Sequence, residues 1–299
     1  MTEIAVVIPT KDRVQHLRKT LPIFLAQPEV AEVVIVIDGC SDGTLEYVKQ
    51  AVAADGRIRY VDNVVNKGLP YSRNRGIELV TRDYVFTGED DLEVTKDFFH
   101  VLLAHMNDTG ADLISGRNVF RAEREGVPEA IARANAIKGP SVNRRNITLH
   151  TAINTPDDQE QPLLPAPMLG RTDVFRKVQY DDQYRGSAYR EETDFQLSAR
   201  GMGYKLVYCP HAMTFNVQTE NDRGGVHATW GFKRATWTVR NNWRLLQKHK
   251  ELIAREFDTG NPQVHIAKFA MWLVAHDVVL PKLVAVKRKV FPNPWFSET

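Results

Sequence analysis

Three consecutive carboxylates, Glu89-Asp90-Asp91, follow the apolar stretch Val85-Phe86-Thr87-Gly88 and precede Leu92. An apolar stretch of this kind reads as a strand buried in a sheet. Carboxylates crowded at its end repel one another, and a hard cation between them relieves the repulsion. Mg²⁺ and Mn²⁺ take oxygen ligands and usually arrive with phosphate groups. The acids therefore point to a metal-diphosphate site at the carboxyl end of a strand. The plainer alternative is a solvated loop that caps a helix expected over 95–106. A second cluster, Arg190-Glu191-Glu192-Thr193-Asp194, opens another expected helix, which Gly201 ends. The helix dipole alone favours acids in a first turn, but Glu191, Glu192 and Asp194 exceed what a cap requires. A carboxylate held near others can have a raised pKa and serve as a general base. Between the clusters, Asn66-Lys67-Gly68 and Arg73-Asn74-Arg75-Gly76 surround a helix start with basic side chains and glycines. Free backbone N–H groups and cations there make a place for phosphate, unless this is an ordinary loop with a solvated basic face. His211 and His227 are candidate metal ligands, each weighed against a structural role.

A fold must bring these groups together. Residues 4–8, 33–37 and 58–61 are apolar runs, as expected for parallel strands buried on both faces. Between them lie two helical stretches, one carrying Leu17, Leu21, Phe24 and Leu25 on one face, the other over 45–53. This β-α-β-α-β order is the signature of a doubly wound parallel sheet. Ligands bind such sheets outside the carboxyl ends of the strands. Pro9-Thr10-Lys11-Asp12-Arg13, Asp38-Gly39-Cys40-Ser41-Asp42-Gly43-Thr44 and the acids after Phe86 should share that edge. Further along we expect a helix over 71–80, a strand over 84–87, a strand over 113–115 and a strand over 204–208 that Cys209-Pro210 ends. Residues 120–164 combine an amphipathic stretch (128–137), basic Lys138, Arg144 and Arg145, and a polar loop (154–161). Long loops are often functional, so this region either contacts an acceptor or is a structural insertion. Helices are expected over 230–249 and 266–290. The basic and aromatic Lys287, Arg288, Lys289, Phe291, Trp295 and Phe296 suit either a membrane surface or a packed C-terminal helix.

Composition narrows the class. The 299 residues are 43% hydrophobic and 25% charged, with a formal net charge of +2. That is enough for a large α/β domain and gives no reason to expect a nucleic-acid partner. Cys40 and Cys209 are too few for a disulfide framework or a zinc site. The start of the chain runs directly into a strand, so a signal peptide is not expected. The most apolar stretch, 264–286, is interrupted by His265, Lys268, His276, Asp277, Pro281 and Lys282. The expectation is a cytoplasmic protein, with peripheral contact at the inner membrane face through the C-terminal segment left open.

In order, these motifs resemble the family-2 glycosyltransferases of the GT-A fold, over roughly residues 4 to 250. Val6-Val7-Ile8-Pro9-Thr10-Lys11-Asp12-Arg13 is similar to that family's opening strand and nucleotide loop. Val36-Ile37-Asp38-Gly39 resembles its second loop, and Asn66-x-Gly68 with Arg73-Asn74-x-Gly76 its next signature. Glu89-Asp90-Asp91 stands at the metal motif, Arg190-Glu191-Glu192-Thr193-Asp194 at the catalytic-base motif, and 203–210 at the strand that comes after it. Arg240-Asn241, Trp243-Arg244 and Lys248-His249 resemble the usual late helix. Two positions depart from the pattern: Glu89 replaces the first Asp of the metal motif and Glu192 the base Asp.

The resemblance implies an α/β fold of GT-A type, a Rossmann-like, mostly parallel central sheet flanked by helices, with a C-terminal helical extension. The division is 1–215 for nucleotide-sugar binding and catalysis and 216–299 for the acceptor side. It implies inverting transfer of a sugar from a nucleotide-diphosphate sugar, UDP favoured, to an acceptor hydroxyl on a glycan, lipid-linked or small molecule. Mn²⁺ or Mg²⁺ would be held by Asp91 and Glu89, with His211 as a further ligand and Asp90 beside them. Pro9, Thr10, Asp12, Arg13 and Asp38 would line the nucleotide pocket. Asn66, Lys67, Gly68 and Arg73 would face the phosphates. Glu192 would be the base, with Glu191 and Asp194 as alternatives. A non-catalytic nucleotide-sugar binder of the same fold is the competing reading. A nucleotidyltransferase is disfavoured because 9–13 has no Gly, and a phospho-acceptor receiver because the chain is too long.

Overall fold

The computed structural model describes residues 2–218 and 232–274. The first elements are β1 (Ile4–Thr10), α1 (Val14–Leu25), β2 (Val30–Ile37), α2 (Thr44–Ala54), β3 (Ile58–Asp62), α3 (Leu69–Leu79) and β4 (Tyr84–Thr87). The acids lead into β5 (Leu92–Val94), α4 (Phe98–Thr109) and β6 (Leu113–Ala122). The middle region holds α5 (Val127–Asn135), β7 (Val142–Asn143), β8 (Thr148–Leu149), β9 (Gln159–Glu160), β10 (Leu169–Arg171) and α6 (Thr172–Val178). Then come α7 (Glu191–Gly201), β11 (Leu206–Gln218), α8 (Phe232–Lys248), α9 (Lys250–Glu256) and α10 (Pro262–Val274).

The main sheet runs β3-β2-β1-β4-β10-β6-β11-β5, with β9 added beside β11. β1 is parallel to β2 and β4, and β6 is parallel to β11, while β10 is antiparallel to both β4 and β6. The carboxyl ends of β1, β2, β4, β6 and β11 therefore share one edge. The run in β1 is apolar throughout because alternate side chains enter different cores. Ile4, Val6 and Ile8 pack with Leu17, Leu21, Phe24, Phe86 and Phe98, whereas Ala5 and Val7 pack with Ile77. Helices cover both faces, as a mostly parallel sheet requires. Gly76 lets α3 lie close on that sheet: a Cβ there would sit 2.4 Å from Cγ1 of Val7.

Two local expectations change. The acids do not cap a helix directly; they enter β5, which pairs antiparallel with β11, and the helix starts at Phe98. The strand expected to stop at Cys209-Pro210 continues to Gln218, because the ladder with β6 shifts register between Cys209 and Met213. A bulge accommodates a proline that cannot donate to the ladder. The division after residue 215 falls inside that strand. α8 and α9 also share a core with the preceding domain, Leu245, Leu246, Ile253 and Phe257 packing with Leu163 and Leu197. The later half of the helix expected over 266–290 and its basic-aromatic tail lie outside the described residues.

Candidate active site

The acids between β4 and β5 differ in environment. Asp90 is buried; it accepts hydrogen bonds from Thr10 Oγ1 at 2.7 Å and Arg13 Nη1 at 2.8 Å. Glu89 and Asp91 remain partly exposed, at 26% and 19%. Asn216 Nδ2, on β11, donates to both, at 2.9 Å to Glu89 and 3.1 Å to Asp91. Its own Oδ1 accepts from Asn118 Nδ2 at 2.6 Å, which fixes the amide so that its donors face the acids. Arg13 Nη2 donates to Asp91 at 2.9 Å. Burial first, and then Asp91, push the Glu89 carboxyl up to about 7, against Arg73 and Asn216. Burial also pushes Asp90 up to about 7, opposed mainly by Arg13. Local sequence carries no signal for Asn216 except an amide where a strand prefers apolar or β-branched residues.

Arg73 joins the two acid clusters. It lies on α3 with its side chain 1% exposed, in contact with Glu191 through Nη1, 3.1 Å from Glu192 and 3.4 Å from Glu89. The ring of Tyr180 covers its guanidinium at 5.2 Å. Burial opposes the Arg73 charge, but Glu191 and Glu192 outweigh it and hold the guanidinium firmly protonated. Its guanidinium is shared among three carboxylates.

α7 delivers the second cluster. Its first residue comes after Arg190, which has a left-handed backbone (φ 75°). The Arg190 side chain holds that conformation by donating to Asn242 Oδ1 at 3.0 Å, Asn146 O at 3.0 Å and the carbonyl of Ile147. Strain kept by such contacts is typical of functional sites. Glu191 is buried against Arg73, whose guanidinium opposes the upward push of burial on its carboxyl. Asp194 is buried too, accepting from Tyr184 Oη at 3.0 Å and Lys248 Nζ at 2.7 Å and lying 2.8 Å from Nε2 of His249. It ties α7 to the end of α8. Of the three, Glu192 alone opens outward, at 29% exposed. It lines a cavity of about 620 Å³ together with Arg234, Tyr189, Phe269 and Trp272. Tyr189 and Phe269 stack at 5.8 Å, and Phe269 and Trp272 at 6.5 Å.

The first two strand ends meet across the same edge. Asp38 accepts from the backbone N–H groups of Lys67 at 2.7 Å and Gly68 at 2.9 Å and from Asn63 Nδ2 at 3.0 Å, so it anchors the 66–68 loop. Asn66 and Lys67 are exposed on it. Gly39 (φ 66°) lies beneath this loop, and a Cβ there would sit 2.4 Å from the Asn66 nitrogen. Asp12 also has a left-handed backbone (φ 52°) and accepts from the Ser41 N–H at 2.6 Å. Burial works to raise its carboxyl, but Lys11 and Ser41 outweigh it and hold it low. Pro9 pairs with Val36 in the ladder just before this edge.

His211 is not brought to the acids. It stacks on His105 of α4 with ring centroids 5.0 Å apart. It sits in the bulge of β11, five residues before Asn216. The bulge turns its side chain toward α4. His227 lies outside the described residues. Among the described residues no helix is long and apolar enough to cross a membrane.

Comparison with known proteins agrees with this architecture. The model of the family described as Glycosyl transferase family 2 matches residues 5–177, more than half of the chain. The chain is 29% identical over 126 residues to Glycosyltransferase GlyA of Streptococcus pneumoniae, a stretch covering 42% of this chain and 18% of GlyA. It is 30% identical over 78 residues to Succinoglycan biosynthesis protein ExoU of Rhizobium meliloti, covering 26% of this chain and 23% of ExoU. The chain thus spans a minor part of these relatives. Its structure is similar to that of S. aureus TarS 1-349 in complex with UDP-GlcNAc, with a TM-score of 0.59 at 14% identity, covering 92% of this chain and 74% of TarS 1-349. That likeness establishes the GT-A fold. With the family model spanning both the acid loop and the strands that carry it, the chain belongs to glycosyl transferase family 2.

Proposed function

We propose that this protein is a glycosyltransferase that moves a sugar from a UDP-sugar to an acceptor hydroxyl with inversion, Glu192 serving as general base and Glu89 and Asp91 holding a divalent cation. One observation carries the reading. Arg73 touches Glu89 of the first acid cluster and Glu192 of the second, so the two ends of a single displacement lie on either side of one guanidinium. The donor set fits Mg²⁺ or Mn²⁺: hard carboxylate oxygens, partly exposed and oriented by one amide. The Glu89 carboxyl is raised by burial first and by Asp91 second, and a cation bound between the two acids would offset both. When bound, the ion supplies positive charge to the departing diphosphate.

The chain's own residues do the rest. Glu192 accepts the acceptor hydroxyl's proton as that oxygen attacks the anomeric carbon. Arg73, 3.1 Å away, keeps the Glu192 carboxylate aimed. Thr10 and Arg13 hold Asp90 away from the ligand set and stiffen the acid loop. Asp38 presents the 66–68 loop, where the exposed Lys67 suits a phosphate. Tyr189, Phe269 and Trp272 offer aromatic faces to an acceptor with sugar rings or an apolar stem. TarS, solved with UDP-GlcNAc, supports UDP as the carrier, and the name of ExoU supports a glycan acceptor.

Calorimetric titration of UDP into the purified protein, with Mn²⁺ and then with a chelator, tests this proposal. Binding should need the cation and should be lost in Asp91→Ala. Tight UDP binding indifferent to both would remove the acid loop from the donor site.

A further inference from the structure

A second set of ligands lies away from the acids and takes no part in the proposed transfer. His105 is a half-buried residue of α4, Asp158 immediately precedes β9, and His211 is an exposed residue on the bulge of β11. One ligand atom from each falls within 4.8 Å of the others. His105 Nδ1 is 2.7 Å from Asp158 Oδ2, and the two imidazoles stack at 5.0 Å. Asp158 is 15% exposed, and its other oxygen, Oδ1, is buried without a hydrogen-bond partner. A buried carboxyl oxygen left unsatisfied is costly and calls for an explanation. Cys209, buried on β11, stands beside this carboxylate.

We propose that His105, Asp158 and His211 bind a borderline divalent cation of the Zn²⁺ type, which clips the 154–161 loop to α4 and β11. Two imidazoles and a carboxylate are a known zinc donor set, with a further position left for solvent. Imidazole ligands select Zn²⁺ over Mg²⁺ and Mn²⁺, so this site and the acid loop would take different ions. The other mixed cluster, Asp12, Cys40 and Asp42, is a weaker candidate. Its Asp42 is already engaged by the N–H groups of Val14 and Thr44 and by the Thr44 hydroxyl.

Titration of the full chain with Co²⁺, monitored by its visible absorption, separates this site from the donor site, and back-titration with Zn²⁺ reads the competition. The Asp91→Ala protein should bind Co²⁺ through this site with unchanged affinity, and Zn²⁺ should displace it while Mg²⁺ should not. His211→Ala changes an exposed side chain and should lower the affinity by about 10–100-fold or more. Asp158→Asn should lower it as well, with circular dichroism checking that both variants are folded. The proposal is overturned if Co²⁺ shows no imidazole-type absorption, or if the folded His211→Ala protein binds it as the wild type does. Either result would leave a plain His–Asp hydrogen bond with an aromatic stack. Failure of UDP binding alone would not touch it.

Discussion

The carboxylates of the second cluster separate by what they touch. Glu192 faces the cavity, while Glu191 and Asp194 are closed in by Arg73 and by Lys248 and His249. Glu192→Gln keeps the shape and removes the base. We expect transfer to fall by about 10²–10⁴-fold with UDP affinity retained, measured by product formation beside calorimetry. Asp194→Ala should instead lower the melting temperature, since it leaves the buried Tyr184 hydroxyl without its acceptor, at a cost of about 1–3 kcal/mol. A Glu192→Gln protein that transfers normally would move the base elsewhere. The first cluster makes a pH prediction. Glu89 and Asp90 are raised from ordinary values of 4.5 and 3.8 to about 7, so between those limits the folded chain binds more protons than the unfolded one. Stability should then fall as pH rises through that window. Cation binding, which displaces those protons, should strengthen over the same range. Melting curves in chelator at pH 5 and pH 8 read the first effect, and Mn²⁺ titrations read the second. A metal-free protein more stable at pH 8 would contradict the assigned shifts. These acids were legible from sequence because three adjacent carboxylates need a reason. Their partners were not: the Arg73–Glu191 contact spans 118 residues, and Asn216 carries no local mark.

Strand ends and turns set the geometry that those side chains need. Gly39 combines a left-handed backbone with a close approach to the Asn66 nitrogen, whereas Gly43 has φ 84° and open space around its Cβ position. Gly43→Ala should cost about 1–2 kcal/mol from backbone conformation alone. Gly39→Ala adds a clash with backbone, which must push the 66–68 loop off Asp38. We therefore expect a larger loss of melting temperature and weaker UDP binding in Gly39→Ala. Equal effects of the two substitutions would mean that the loop is not seated as described. The opening β-α-β-α-β was readable because burial on both faces makes an unbroken apolar run, a signal carried by β1 and β2 in full. β11 was half readable. Pro210 marks the end of a strand by local rules, and only pairing with β6 and β5 reveals that the chain continues through a bulge. The short strands β5, β9 and β10 had no local signal, because their hydrogen-bond partners come from distant sequence.

Across the whole molecule, the family model ends at residue 177, before the second acid cluster and the last helices. The elements beyond residue 177 are joined to the earlier part unevenly. α8 and α9 share apolar core with α7 and Leu163, and the end of α8 holds Asp194, so these helices pack as one body with α7. α10 differs: it packs on α8 and contributes Phe269, Trp272 and Leu273 to the cavity beside Glu192. If the acceptor binds there, ending the chain after Asp258 should separate the two substrates. The shortened protein should stay folded and bind UDP with Mn²⁺ as the full chain does, because the acid loop, the 66–68 loop and Asn216 are untouched. Transfer to an acceptor should be lost, while slow hydrolysis of the donor, which needs only water at Glu192, should persist. Trp272→Ala in the full chain should shift in the same direction, raising the acceptor KM more than it lowers kcat. Loss of UDP binding on truncation would instead place α10 in the donor half, and unaltered acceptor kinetics in Trp272→Ala would take the aromatic row out of recognition.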